Sequence, residues 1–448
     1  MSPSRHAARN SDPAFPAARA SCCVTGQSSG ILALHSQAPH RAPFGGGVDV
    51  RINPFVSLFA ASLISFLPVH AMAQTTDSGA VSVRERERPE LDPMGTRLGA
   101  FTLNATLDLD VTSTDNLFAT STGEVDDIIY TVAPSARLAS GWSRHSLALE
   151  AGAAFRSHED FSSEDVDTHY LRGVGRLDVG SNTALHGSAR YAHDFTPRYD
   201  PDSLVGAPTE FDRTDASIGV SHRFARLGIR ADAFTSEREY DGAAASRDFT
   251  QNGLRGRVDA ELSPRITAFV SGSIDERDYD NSPASNSEGR SLLVGAAFQG
   301  NLLRGEISAG QFERDYDGFD SIDGLAVAGR VEWSVTPLTT VTVDAVRSAD
   351  DNVGIASGFP YVSMEYGARV DHELLRNVIL TAAVRSGERD YEGADRDDEY
   401  MRYEVGADYI LNRRVALRAR YVRDDVDSSE PARNFDLEAV TVGLSLRL

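Results

Sequence analysis

The chain contains no lysine, and its only two cysteines are the adjacent pair Cys22 and Cys23. From residue 24 onward there is no thiol for a disulfide framework or a thiolate metal site. That suits a protein exported into a bacterial envelope. With lysine absent, the basic complement is arginine, whose guanidinium stays charged and pairs with two acceptors at once, as ion ladders on a wet wall require. A genome that favours arginine codons would leave the same mark. Acid exceeds base to a net charge of -22, which argues against nucleic acid as a partner, because phosphate binding needs a basic surface.

Long apolar runs are lacking too. The one concentrated stretch, roughly 13 residues between Arg51 and Ala73, is too short for a helix that spans a bilayer. A positive charge, a short apolar run and then Ala71-Met72-Ala73 predict a secretory signal peptide over 51–73, with the mature chain starting at Gln74. Residues 1–50 are rich in Pro, Ala, Ser and Gly and show no periodicity. They read as upstream sequence translated from a wrongly assigned start, with Val48 or Val50 the true one, or as an extended leader. Residues 74–100 are expected to form a periplasmic N-terminal segment.

Catalytic and metal-binding patterns are also missing. His145, His169, His186, His193 and His222 are scattered over separate segments, and none accompanies a recognisable nucleophile motif. Asp315, Asp317, Asp320 and Asp323 precede Gly324 but do not follow the ligand order of an EF-hand loop. No enzyme activity, cofactor or metal is expected.

What is present is a repeated phrase: Ser-Glu-Arg-Glu-Tyr-Asp-Gly at 236–242, Asp-Glu-Arg-Asp-Tyr-Asp-Asn at 275–281, Phe-Glu-Arg-Asp-Tyr-Asp-Gly at 312–318 and Gly-Glu-Arg-Asp-Tyr-Glu-Gly at 387–393. The copies recur about 39, 37 and 75 residues apart, the last close to twice the unit, and such spacing marks a stacked or closed repeat architecture. A degenerate copy fills the gap at 346–352. Between copies the polarity alternates, as in Leu325, Val327, Gly329, Val331, Trp333 and Val335 against Ala326, Ala328, Arg330, Glu332 and Ser334. A period of two is that of a strand, so each unit is a pair of strands.

From Phe101 to Leu448 about 18 such segments follow one another. Their connections alternate between tight turns, such as Ala225-Arg226 and Asn412-Arg413, and longer acidic loops, such as 196–211 and 351–360. An even strand count with short turns at one rim and long loops at the other predicts an all-β fold over 101–448: a transmembrane antiparallel up-and-down β-barrel of the outer membrane. A soluble β-sandwich also alternates. Three features weigh against it. One face is apolar but poor in bulk (Ala151, Ala153, Gly173, Gly175, Ala231, Ala233), where a sandwich core needs volume. The other face carries isolated mid-strand charges, among them Asp110, Glu150, Asp232, Arg257, Arg369, Arg418 and Arg420. The chain also ends within a strand able to close against the first, which removes both exposed edges.

In this register Arg238, Arg277, Arg314 and Arg389 share the lumen-facing parity with Tyr240, Tyr279, Tyr316 and Tyr391. Glu237, Glu276, Glu313 and Glu388 point outward, so these strand ends must rise above the hydrocarbon. The Arg and Tyr side chains form either a solvated rim or a ring that contacts a polar or anionic chain, with Tyr faces stacking on sugar rings.

The entry Arg88-Pro89-Glu90-Leu91-Asp92-Pro93-Met94-Gly95-Thr96-Arg97-Leu98-Gly99-Ala100-Phe101, followed by Asp115-Asn116-Leu117-Phe118, resembles that of the second β-barrel porin family of the outer membrane. Asn104-Ala105 stand where that family has a Pro soon after the Phe, and the chain ends on Leu448 rather than on an aromatic residue. The resemblance covers most of 84–448 and identifies no catalytic residue. It implies a porin-like conduit linked to secretion of exopolysaccharide. The partners it implies are outer-membrane lipid and lipopolysaccharide, a polysaccharide chain with its export machinery, and the barrel-insertion machinery. A diffusion porin for small polar solutes and a closed scaffold or adhesin barrel working through its loops share the same sequence features.

Overall fold

The computed structural model describes residues 81–198, 208–351 and 360–448. The expected leader, the signal peptide and the start of the mature chain lie outside the described residues. In chain order the strands are β1 (Thr96–Leu98), β2 (Phe101–Thr114), β3 (Asp127–Ser140), β4 (Ser146–His158), β5 (Val166–Val179), β6 (Thr183–Thr196), β7 (Thr209–Phe224), β8 (Leu227–Tyr240), β9 (Phe249–Ser263), β10 (Ile266–Tyr279), β11 (Ser287–Gln299), β12 (Leu303–Tyr316), β13 (Ile322–Thr336), β14 (Thr339–Asp351), β15 (Pro360–Leu375), β16 (Val378–Tyr391), β17 (Asp397–Asn412), β18 (Val415–Ser428) and β19 (Phe435–Arg447).

Neighbours in sequence pair antiparallel throughout, and β19 returns to β2 from Ala439↔Thr114 to Arg447↔Thr106. The sheet is thereby a closed barrel of the eighteen long strands β2 to β19, as the alternation predicts. Leu448 donates its N–H to the Ala105 carbonyl at 2.9 Å, so the pairing continues to the last residue. Below that point the edge of β2 is covered by β1, with Leu98 opposite Phe101 and Thr96 opposite Leu103. β1 thus continues the pairing of β2 beyond the point where β19 ends.

The two faces are reversed relative to a soluble protein. On β2, Asp108, Asp110, Thr112 and Thr114 are buried while Val111 is 46% exposed, and on β7 Ile218 is 69% exposed. Leu171, Leu254, Leu292, Val405 and Val442 are likewise outside. Only a hydrocarbon surround makes that distribution favourable. Trp142, Phe224, Trp333 and Tyr409 are exposed near the turn end, and Tyr130 and Tyr191 nearer the loop end. These are the positions of the two interfacial aromatic girdles.

Inside, large rings lie across glycines on the neighbouring strand. Phe234 faces Gly253, Tyr400 faces Gly387 and Tyr170 faces Gly152. A Cβ on any of these three glycines would fall within 2.6 Å of the ring. The missing side chain lets the ring lie flat against the wall, which pins register and leaves the aromatic surface covered.

Candidate functional site

All eight Arg and Tyr residues of the repeated phrase point inward, at the loop ends of β8, β10, β12 and β16. None is a wet rim. Tyr240, Tyr279, Tyr316 and Tyr391 are between 3% and 9% exposed, as are Arg238, Arg277, Arg314 and Arg389. The reason is cross-strand pairing: Tyr240 sits directly opposite Phe211, Tyr279 opposite Phe249 and Tyr391 opposite Tyr361. Their ring centroids are 5.0, 5.4 and 5.1 Å apart. Such aromatic pairs add to burial through favourable ring geometry.

The arginines complete this packing. Arg238 lies over the Phe211 and Phe249 rings, at 5.9 and 5.4 Å. Arg314 binds Asp275 at 2.7 Å and the Ser287 hydroxyl at 2.9 Å. Arg389 stacks on Tyr400 at 5.1 Å. In the degenerate copy on β14, Ser348 and Asp350 take the buried inward places, and Asp350 faces Arg277 at 3.8 Å. The phrase thus builds a packed collar of cation–π and ion pairs across β7 to β17. Its outward acids are exposed or half-exposed, and Glu313 pairs with Arg290.

The repeated phrase lies apart from a cavity in the lumen. A cavity of about 120 Å³ is bounded by β2 to β6 on one side and by β15 and β17 to β19 on the other. No residue of the repeated phrase lines it. Arg369, Arg402, Glu404, Arg418, Arg420 and Asp424 form one wall, and Arg156, Glu164 and Arg198 stand opposite. Their charges are fixed by neighbours: Arg418 to Asp110 at 2.8 Å, Arg420 to Asp408 at 2.8 Å, Arg402 to Asp424 at 3.2 Å and Arg198 to Glu164 at 2.6 Å. Leu117, Ile129, Val166, Phe195 and Val422 supply apolar surface between them. The result is a cavity whose charged side chains are tied into ion pairs while most of its accessible lining is apolar.

At the turn end the segment from Val81 to Asp92 runs along the inside of the wall as a strap. Val83, Arg88 and Asp92 are buried, Arg88 completely. The Val83 N–H donates to the Thr340 hydroxyl at 3.0 Å. Arg84 binds Asp371 at 2.6 Å and Asp408 at 3.2 Å, and also donates to Thr381. Arg86 and Arg88 converge on Glu373 at 3.0 and 2.9 Å. Arg376 and Arg413, in the turns after β15 and β17, hold Glu90 and the Pro89 carbonyl. Burial pushes the Asp92 carboxyl above the ordinary aspartate range, although it accepts the Arg88 N–H at 2.5 Å.

This strap is a feature that reading the sequence for strands overlooks. Its signal was present in Arg84-Glu85-Arg86-Glu87-Arg88, but a charge run of mixed sign ordinarily marks a solvated surface. Of the histidines, His169 on β5 and His193 on β6 are cross-strand neighbours whose rings stack 5.4 Å apart. His186 pairs with Asp232 at 2.5 Å, and His193 lies between Asp212 and Glu210 at 2.7 and 2.8 Å. Among the described residues no group of three or more His, Cys, Asp or Glu is arranged to hold a metal ion.

Solved structures with a similar fold include three proteins of Pseudomonas aeruginosa. OpdL is 14% identical, with a TM-score of 0.44 over 78% of this chain and 99% of its own. OccK9 (OpdG) is 14% identical, with a TM-score of 0.45 over 78% and 98%. The siderophore receptor PirA is 11% identical, with a TM-score of 0.42 over 79% and 81%. No curated protein matches the chain. A family model described as putative beta-barrel porin 2 matches residues 88–448, and the chain therefore belongs to that family of outer-membrane β-barrels.

Proposed function

We propose that the protein is a passive conduit for small polar solutes across the outer membrane, with the path running beside β2 to β6 and β17 to β19. The observation that carries this reading is the cavity on that side, walled by paired arginines and carboxylates. Alternating fixed charges replace part of a solute's hydration shell without trapping it, which is what conduction needs. The collar removes the opposite side of the lumen from the path, so the passage is eccentric.

The test is planar-bilayer recording of the mature chain, refolded and inserted. Stepwise currents that saturate with small polar solutes support the conduit. Silence in every condition overturns it and favours a closed barrel acting through its loops, a reading supported by the packed collar and the docked strap. The link to exopolysaccharide secretion rests on the family resemblance. Deletion of the gene separates the two roles: loss of surface polysaccharide with normal small-solute uptake supports export, and the reverse supports diffusion.

A further inference from the structure

Arg84 is the one strap residue whose ion pairs reach two strands of the lumen wall. Its Nε binds Asp371 of β15 at 2.6 Å and its Nη2 binds Asp408 of β17 at 3.2 Å. Both carboxylates are shared with arginines that line the cavity. Asp371 also accepts from Arg369 Nε at 2.9 Å, and Asp408 also accepts from Arg420 Nη2 at 2.8 Å. Neither carboxylate lines the cavity, whereas Arg369 and Arg420 both do. A charge from outside the strand set therefore competes for the two acids that would otherwise serve the cavity's own arginines.

We propose that Arg84 is a selectivity-determining residue of the conduit: by occupying Asp371 and Asp408 from the strap, it keeps the wall at Arg369 and Arg420 from turning negative and so keeps passage from favouring cations. This rests on the conduit reading above. With Arg84 in place, Arg84, Arg369 and Arg420 are balanced by Asp371, Asp408 and Glu404, the last 3.6 Å from Arg420, and this stretch of the wall is neutral. Without Arg84, two guanidinium groups face three carboxylates and the stretch turns negative. The low dielectric of a narrow lumen makes a single charge count for more than it would in bulk water.

The experiment measures reversal potentials of the refolded mature chain in a salt gradient at low ionic strength, since screening shortens to about 10 Å at 0.1 M and about 3 Å at 1 M. Arg84→Gln is expected to shift the anion-to-cation permeability ratio toward cations, and Arg84→Lys to retain the parental ratio. Asp408→Asn is expected to shift it the other way, a pair of opposite signs that loosening of the strap would not produce. Arg290→Gln, on the exposed outer rim, should change nothing. Heat-modifiable gel mobility reports folding, and if Arg84→Gln does not fold, the Lys and Asp408→Asn variants carry the comparison. Currents whose ratio is the same in the parent, Arg84→Gln and Asp408→Asn chains overturn the inference alone. Absence of current in the parent overturns the conduit reading itself.

Discussion

Tyr391 donates its hydroxyl proton to Asp398 at 3.1 Å, and Arg396 lies 4.1 Å over the Tyr391 ring while donating through Nε to the same carboxylate at 3.1 Å. The Ser428 hydroxyl makes a further bond to Asp398. One carboxylate, 1% exposed in its side chain, thus satisfies donors from β16, β18 and the loop before β17. Asp398→Ala should cost about 3–5 kcal/mol, the range for breaking a buried charged pair from one side. Denaturant titration of the barrel in lipid vesicles reads this, and a loss below about 1 kcal/mol would mean water enters the collar freely. The inward direction of Arg and Tyr in the phrase was legible in the sequence, because parity along a strand is local. Their burial was not, since it depends on Phe211, Phe249 and Tyr361, which arrive from neighbouring strands.

Between elements, register is held by shape as much as by hydrogen bonds. β11 and β12 pair without a break from Ser287↔Tyr316 to Gln299↔Arg304. At Gly310 a Cβ would stand 1.8 Å from the Leu292 carbonyl oxygen on the neighbouring strand. Backbone cannot yield as a side chain can, so Gly310→Ala should destabilise the barrel by about 1–3 kcal/mol, the usual range for overpacking. The loss should appear in vesicle unfolding together with faster amide exchange in β11 and β12, and wild-type exchange would refute it. Strand boundaries and the alternation of turns and loops were readable because each strand writes its own period of two. The strap was not readable in this way. Its partners lie nearly 300 residues downstream, and no local pattern of residues 81–92 says which wall they meet.

For the whole molecule, the solvent on the outside decides the sign of most substitutions. Ile218 lies mid-strand on β7, and its side chain faces outward. Ile218→Arg should cost about 2–4 kcal/mol in a bilayer, the range for a charge near the midplane. The measurement compares vesicle unfolding of Ile218→Arg with the parent chain; an equal midpoint would place this band outside the membrane. The sequence by itself determined the number of strands, which face of each is apolar, and which ends carry the long acidic loops. These follow from alternation and turn chemistry, which act over a few residues. Only the tertiary structure decided how the lumen is filled: that the repeated phrase becomes a packed collar, that the cavity lies on the side without it, and that a strap pairs with Asp371, Glu373 and Asp408. Closure sets strand tilt and stagger together, and these determine which inward side chains meet across the closing seam, as Arg418 of β18 meets Asp110 of β2 over Gly443 of β19. Contacts so distant in sequence leave no periodic trace along it.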